Sequence, residues 1–301
     1  MAAFSENLFG FDRPLTSGES LHHRAFEAFV VYWVIYFAWS WGLYIDKISD
    51  VVLPLGIAEY IDISFMFNGP AALVNAGLMT GTVLMGFFGI WRYGYLASLL
   101  FMHVQYVARF CLGEISHGSN IAGICLLGLA LGALAFETRT RSLRFAMGFG
   151  YFTLGLGYTS AALCKLIGTG PHWVDGSHLW MWIAERTVDT FSMTGAVEFG
   201  MLQELALASH SLATAILAFG LLTELFGFLT WFPRARPYIA ALLFSMHVGI
   251  LLTMNINFPA NNVAILVLGF PWDRWANAAM RGIPGLAQPL RLTGGLESQE
   301  G

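Results

Sequence analysis

AFEAFVVYWVIYFAWSWGLYI occupies residues 25–45, and the interpretation of the whole chain starts from this run. Glu27 is its only charged residue. An α-helix needs about 20 mostly apolar residues to cross the hydrocarbon core of a bilayer, so the run is long enough to span. The polar residues 1–24 before it lack the apolar centre of a cleavable signal peptide. We therefore expect an uncleaved signal that is also the first transmembrane helix.

The composition of the whole chain agrees with that expectation. Of the 301 residues, 56% are hydrophobic and only 11% are charged, whereas about a quarter of a typical soluble domain is charged. So few charges cannot cover a water-soluble fold of this size, which makes the lipid bilayer the expected surrounding medium. A net charge of −4 without a basic stripe excludes nucleic acid as an expected partner. The fold class predicted is an all-α polytopic membrane protein.

Outward from the first run, the sequence predicts about eight transmembrane helices. The eighth of these runs is short and begins next to Pro259. Two other segments, 51–67 and 177–208, are too polar to span, and we interpret them as interfacial or re-entrant helices on the extracytoplasmic side. The eight runs are residues 25–45, 70–91, 94–113, 119–137, 144–167, 209–232, 237–256 and 258–272.

Arginine positions predict the orientation of these helices, because cytoplasmic loops hold the excess of positive charge. With eight alternating helices, nearly all arginines outside the membrane fall on one side, and both termini are then cytoplasmic. The expected organisation is a cytoplasmic segment 1–24, a transmembrane helical domain 25–275 and a cytoplasmic tail 276–301. The arginines that set this orientation are Arg13, Arg24, Arg92, Arg139, Arg141, Arg144, Arg234, Arg236, Arg274, Arg281 and Arg291.

One lysine is the first candidate for chemistry. Lys165 is one of only two lysines in the chain, and it ends a long apolar run. It can be a lysine that extends its amine to the interface and marks the helix end. A desolvated amine would instead be a candidate general base. His172, Trp173 and Asp175 follow within a few residues and complete the candidate catalytic segment, with Trp173 assigned to substrate binding.

Further polar side chains are expected at the same extracytoplasmic rim. His117 and Asn120 lie between the third and fourth predicted helices, and Asn255 lies at the end of the seventh. Arg109 and His247 lie inside predicted helices, where ionisable groups are costly and therefore suspected of function. Together these five residues are candidate substrate-binding groups. A plain polar loop surface is the alternative for the loop residues.

A histidine pair raises a cofactor alternative. His103 and His247 lie about halfway along two different predicted helices, and two such histidines can ligate a b-type haem. They can equally hydrogen-bond a quinone or be satisfied by neighbouring groups. The sequence contains no HExxH motif, P-loop or GxSxG motif, so no metal site is predicted.

Part of the chain resembles the transmembrane module of vitamin K-dependent γ-carboxylases and their bacterial relatives, the HTTM domain. The resemblance is carried mainly by Leu163-Cys-Lys165-Leu followed by His172-Trp-Val-Asp-Gly176. It continues in Ser116-His-Gly-Ser-Asn120, in Glu224, in the turn at 232–236 and in the helix that carries His247. It would cover most of residues 20–275.

The resemblance implies a chemistry for the lysine. In the carboxylases the matching lysine is taken as the base that deprotonates reduced vitamin K, so Lys165 would be that base and a reduced quinone the cofactor or substrate. The chain does not continue into the large soluble domain of the carboxylases, so we expect a small lipid-soluble substrate rather than a protein. Two alternatives stay open: a non-enzymatic integral subunit of a larger membrane complex, and a haem-b electron carrier.

Overall fold

The computed structural model describes residues 2–45, 47, 53–113 and 117–281, apart from the side chains of residues 2, 3 and 117. These residues are predominantly helical and contain no β-strand, which confirms the predicted all-α class. The α-helices are α1 (Ala2–Leu8), α2 (Ser17–Ile45), α3 (Ala71–Phe87), α4 (Gly94–Phe110), α5 (Asn120–Ala135), α6 (Arg139–Thr169), α7 (Gly176–Thr194), α8 (Met201–Ala208), α9 (His210–Leu225), α10 (Arg236–Met254), α11 (Pro259–Gly269) and α12 (Trp272–Arg281).

Each of the eight apolar runs overlaps one of these helices, namely α2 to α6 and α9 to α11. Three helical segments are long and apolar enough to cross a membrane by length and composition: Ser17–Ile45, His210–Trp231 and Arg236–Met254. The second of these continues α9 through a 3₁₀ turn at Phe226–Trp231. Helices α3, α5 and α11 are apolar but shorter.

The segments interpreted as interfacial or re-entrant are also helical. The described part of 51–67 contains two short 3₁₀ turns, Gly56–Glu59 and Ser64–Phe67. The 177–208 segment forms most of α7 and all of α8. A 3₁₀ turn at Gly170–Val174 joins α6 to α7.

The chain divides into two compact units. Unit one comprises residues 1–150 and 271–301, and unit two comprises residues 151–270. The boundary at residues 150 and 151 falls within the sequence of helix α6.

In unit one, α2 packs against α3 and α12, and α4 packs against α3 and α5. Glu27, the lone charge of the opening run, has a fully buried residue surface. Its carboxylate accepts hydrogen bonds from the Tyr95 hydroxyl at 2.7 Å and from Arg139 at 2.8 Å. A buried carboxylate persists only when it is paired and hydrogen-bonded, which explains how this helix tolerates it.

The two ends of the described chain meet in unit one. The backbone N–H of Gly18 donates to Asn277 Oδ1 at 2.8 Å, and Asn277 Nδ2 donates to the Thr16 hydroxyl at 2.9 Å. The start of α2 and the middle of α12 are therefore adjacent.

Unit two is built around α9 and α10, with α7 packed along the first half of α9. Leu179 and Ile183 of α7 are fully buried, in one apolar cluster with Ala213 and Leu217 of α9. Helices α10 and α11 form an antiparallel hairpin in which Gly269 lies against Ala240. This arrangement leaves a cavity between α7, α9 and α10.

Candidate functional site

The cavity in unit two has a volume of about 380 Å³, which is within the usual range of small-molecule sites. Most of its lining is apolar, and the charged groups are Lys165, Glu224, Glu185 and Arg186. Most of the apolar lining comes from three helices: Leu179 and Trp182 on α7, Ile216, Leu217, Phe219 and Gly220 on α9, and Met246, Gly249, Ile250 and Met254 on α10.

Lys165 is the central polar group of the cavity lining. Its ammonium donates to Glu224 Oε2 at 2.5 Å. The same Nζ lies 4.5 Å from the centre of the Trp173 ring, a distance at which the ring face attracts a cation. The structure thus brings together two residues of the predicted segment, Lys165 and Trp173, and adds Glu224 as the counter-ion.

The chain reaches this geometry through the end of α6. Thr169 closes the last turn, where its hydroxyl donates to the Lys165 carbonyl at 3.0 Å. Gly170 follows with φ +64°, a left-handed conformation that a glycine adopts without strain. The chain therefore reverses into the 3₁₀ turn that carries Trp173 back to the lysine.

Asp175 and His172, the other two candidate catalytic residues, lie outside the cavity lining. His172 is exposed. Asp175 is the N-cap of α7, where its Oδ1 accepts from the Ser177 backbone N–H at 2.9 Å and lies 3.0 Å from His210 Nε2. The hydroxyl and backbone N–H of Ser177, with His210, hold the pKa of Asp175 well below its usual range. These contacts are those of a helix cap.

Asp175, His210 and Ser177 do not form a nucleophilic triad. The Ser177 hydroxyl lies 3.5 Å from His210 Nε2, the same nitrogen that contacts Asp175. A triad needs the acid and the nucleophile on different ring nitrogens.

His247 is buried on α10, and its Nε2 lies 2.7 Å from the Tyr158 hydroxyl. Asn255 ends α10 with φ +53° and lines a second, more polar depression of about 230 Å³. Arg186 lines both this depression and the main cavity.

The three remaining candidates belong to unit one. The Arg109 guanidinium lies over the Trp41 ring at 4.8 Å. Asn120 is the exposed first residue of α5. The side chain of His117 lies outside the described part of the chain. His103, named for the haem alternative, is exposed on α4.

The pairing of Lys165 with Glu224 is the feature that the sequence interpretation missed. Glu224 appears in the sequence analysis only as part of the family resemblance, without a partner, and it lies 59 positions after Lys165 along the chain. Each charge is isolated in an apolar run, and a lone charge at membrane depth requires a partner of opposite sign. This requirement could have indicated from the sequence that Lys165 and Glu224 are partners.

Comparison with known proteins adds nothing to these observations. No protein-family model, curated protein or solved structure matches the chain. Among the described residues, no group of three or more His, Cys, Asp or Glu side chains is arranged to hold a metal ion.

Proposed function

We propose that unit two is an intramembrane acid–base site, similar to that of the γ-carboxylase transmembrane module, that acts on the hydroxyl group of a lipid-soluble molecule. The observation that carries this proposal is the Lys165–Glu224 ion pair in the wall of an otherwise apolar cavity. Buried charges are expensive to maintain, and a structural role alone would be served as well by apolar side chains of similar volume.

The proposed chemistry is the removal of a proton from the substrate hydroxyl by Lys165. The Glu224 carboxylate, in hydrogen-bond contact with the ammonium, takes one proton and leaves a neutral amine. That amine accepts the hydroxyl proton, which regenerates the ammonium beside the new oxyanion. After this step the site holds a protonated Glu224, a charged Lys165 and the substrate anion, so no net charge has been added to the apolar surroundings.

The walls favour an aromatic alcohol of the quinol class. About 380 Å³ accommodates a one- or two-ring aromatic head, and the Trp173 and Trp182 rings offer it flat apolar contacts. Trp173 also faces the lysine, so the ring system and the amine would approach the substrate head together.

The proposed setting is a multi-pass membrane protein with eight spans and both termini in the cytoplasm. The Gly18–Asn277 contact supports it, because a chain whose two ends lie together has crossed the membrane an even number of times. The α10–α11 hairpin supports an eighth pass, since Phe258 contacts His247 and Gly269 lies against Ala240, close to where α10 began. Helix α11 is shorter than a full span, which a locally thinner bilayer would accommodate.

The test uses 1-naphthol, a redox-stable aromatic alcohol, and the full chain in lipid nanodiscs. On binding at neutral pH, the absorption band of the naphtholate anion should appear although free naphthol stays protonated. Lys165→Met and Glu224→Gln should both abolish the band. Lys47→Met is the matched control, because it removes the chain's other lysine, which is exposed, and should leave the band unchanged. Absence of the band in the unsubstituted protein, or its persistence in Lys165→Met, would contradict the proposal.

A second candidate is a non-enzymatic subunit of a membrane complex. It is favoured by the apolar side chains around the end of α7 and the start of α8, where Val188, Met193 and Met201 are 67%, 78% and 78% exposed. Such residues can bury against another membrane chain. Stable co-purification of a second chain from native membranes, lost on Met193→Ser with Met201→Ser, would support this role, and purification as a stable lone chain would exclude it.

A further inference from the structure

Two tryptophan rings connect the two cationic residues of the cavity lining. Lys165 Nζ lies 4.5 Å from the centre of the Trp173 ring, and the centres of the Trp173 and Trp182 rings are 5.6 Å apart. Arg186 follows Trp182 by four residues on α7, and side chains four apart are neighbours on one helix face. We call Trp173 and Trp182 the aromatic wall. The order of these contacts places Lys165 at one end of the aromatic wall and Arg186 at the other.

The Arg186 end of the cavity adjoins the second, more polar depression of about 230 Å³. Arg186 is the one described residue that lines both spaces. The other residues around the depression are Asp189, Thr190, Ser192, Met193 and Asn255. At this end the apolar cavity therefore meets a space with mostly polar side chains.

The Arg186 guanidinium retains donors for a ligand. Its Nη1 donates to Asp189 Oδ2 at 2.9 Å, while Nε and Nη2 make no hydrogen bond within the described part of the chain. Nε and Nη2 form one edge of the planar guanidinium, and such an edge can bind both oxygens of a carboxylate. Because an arginine has donors only, the ligand group at this edge must be an acceptor.

The contact with Asp189 leaves Arg186 able to turn towards a ligand. The two side chains are 43% and 52% exposed, and exposed pairs on one helix contribute little because water and salt screen them. The hydroxyls of Thr190 and Ser192 already donate to the backbone carbonyls of Arg186 and Asp189. The guanidinium is therefore the charged donor that a ligand meets in the depression.

The geometry points to a substrate that is an aromatic alcohol with a carboxylate at the end away from its hydroxyl group. This inference rests on the proposed function, which places the hydroxyl at Lys165. The aromatic ring then lies along the aromatic wall, and the carboxylate binds the free edge of Arg186. Two ring contacts and one helical turn separate the two ends, a distance on the order of 10 Å. Arg186 is thus a specificity-determining residue that takes no part in the proton transfer.

The test compares two ligands of equal shape and different charge, 4-(4-hydroxynaphthalen-1-yl)butanoate and its primary amide. Their affinities for the full chain in nanodiscs are measured by isothermal titration calorimetry. The unsubstituted protein should prefer the acid by about fivefold, as for a partly screened ion pair. Comparing this ratio between variants cancels the partition of each ligand into the bilayer.

Three variants and one control define the role of Arg186. Arg186→Met should abolish the preference for the acid, and Asp189→Asn, which releases the guanidinium, should increase it. The double variant should show no preference, which separates the effect of Asp189 on Arg186 from the charge of Asp189 itself. Arg234→Met is the matched control, because it removes an exposed positive charge elsewhere in unit two and should keep the fivefold ratio.

Equal affinities for acid and amide in the unsubstituted protein would overturn the inference. A preference that survives Arg186→Met, or one that is lost equally in Arg234→Met, would do so too. If Arg186→Met does not fold, Arg186→Gln, which keeps a polar side chain at this position, replaces it. Failure of the proposed function is visible separately as absence of the naphtholate band with 1-naphthol, since calorimetry detects binding whether or not the hydroxyl loses its proton.

Discussion

At the scale of single residues, we predict how much the Lys165–Glu224 ion pair contributes to the stability of the folded protein. The side chains are 29% and 11% exposed, so each charge depends on the other for part of its solvation. Lys165→Met would leave a mostly buried carboxylate alone, and Glu224→Met would leave the ammonium alone. Each single change should cost between about 1 kcal/mol, as for exposed pairs, and about 4 kcal/mol, as for buried ones.

The double variant Lys165→Met with Glu224→Met should recover most of that loss, because two apolar side chains of similar length replace the pair. Thermal unfolding of the four proteins in nanodiscs measures the coupling. If the losses in stability of the two single variants simply add in the double variant, the two charges are solvated independently. The ion pair would then not contribute to the stability of this site.

The same residues show which parts of the site could be predicted from the sequence. A lysine at the end of an apolar run is conspicuous in a sequence, so Lys165 and the nearby Trp173 were named as candidate site residues from the sequence alone. Glu224 was not assigned to them, because it lies 59 positions after Lys165 and no local pattern connects the two residues. The structure places Lys165 against the later part of α9, since α7 rather than α6 covers the first part. The part of α9 that Lys165 contacts therefore depends on the packing of α7, which no local sequence pattern predicts.

At the scale of helices, we predict that Asp175 stabilises the first turn of α7. Its carboxylate satisfies a first-turn N–H that has no partner within the helix, and it also contacts His210 on α9. Asp175→Ala should therefore speed amide hydrogen exchange in the first turn of α7, around Ser177 and His178. Asp175→Asn, which retains a capping oxygen, should have a smaller effect.

The pH dependence of that cap follows from the lowered pKa of Asp175. A carboxyl group whose pKa is lower in the folded state stabilises fully above its unfolded value of about 4, and this contribution is lost as the pH falls through the folded value. Exchange protection at the start of α7 should thus be constant from neutral pH down to about 5 and decline only in stronger acid. Loss of protection already near pH 6 would contradict the ionised Asp175 carboxylate as the source of this stabilisation.

Helix positions were predictable because apolar runs and their lengths are local properties. Each of the eight runs overlaps a helix, and the polar 177–208 segment is helical as expected. The hairpin register of α10 and α11 was not predictable. It depends on Gly269 meeting Ala240, which is a contact between residues 29 positions apart along the chain.

At the scale of the whole molecule, the division into two units left no trace in the sequence, because α6 runs through it without a break. The ion-pair partners of the arginines could not be predicted from the sequence either. Arg139, Arg141 and Arg144 pair with Glu27, Asp12 and Glu19, which lie 112 to 129 residues earlier. These pairs do not weaken the predicted orientation, since orientation follows the count of positive residues in short loops rather than their net charge.

That orientation can be tested by cysteine labelling in whole cells. Cys111, Cys125 and Cys164 are first replaced by alanine, and a single cysteine is introduced at Thr138 or at Ala196, both of which are exposed. A membrane-impermeant maleimide should label the Ala196→Cys protein in intact cells and the Thr138→Cys protein only after permeabilisation. Labelling of Thr138→Cys in intact cells would place the arginine-rich loop outside, against the eight-span arrangement. Because Gly18 donates a hydrogen bond to Asn277, we expect tags at the two termini to give the same answer as each other.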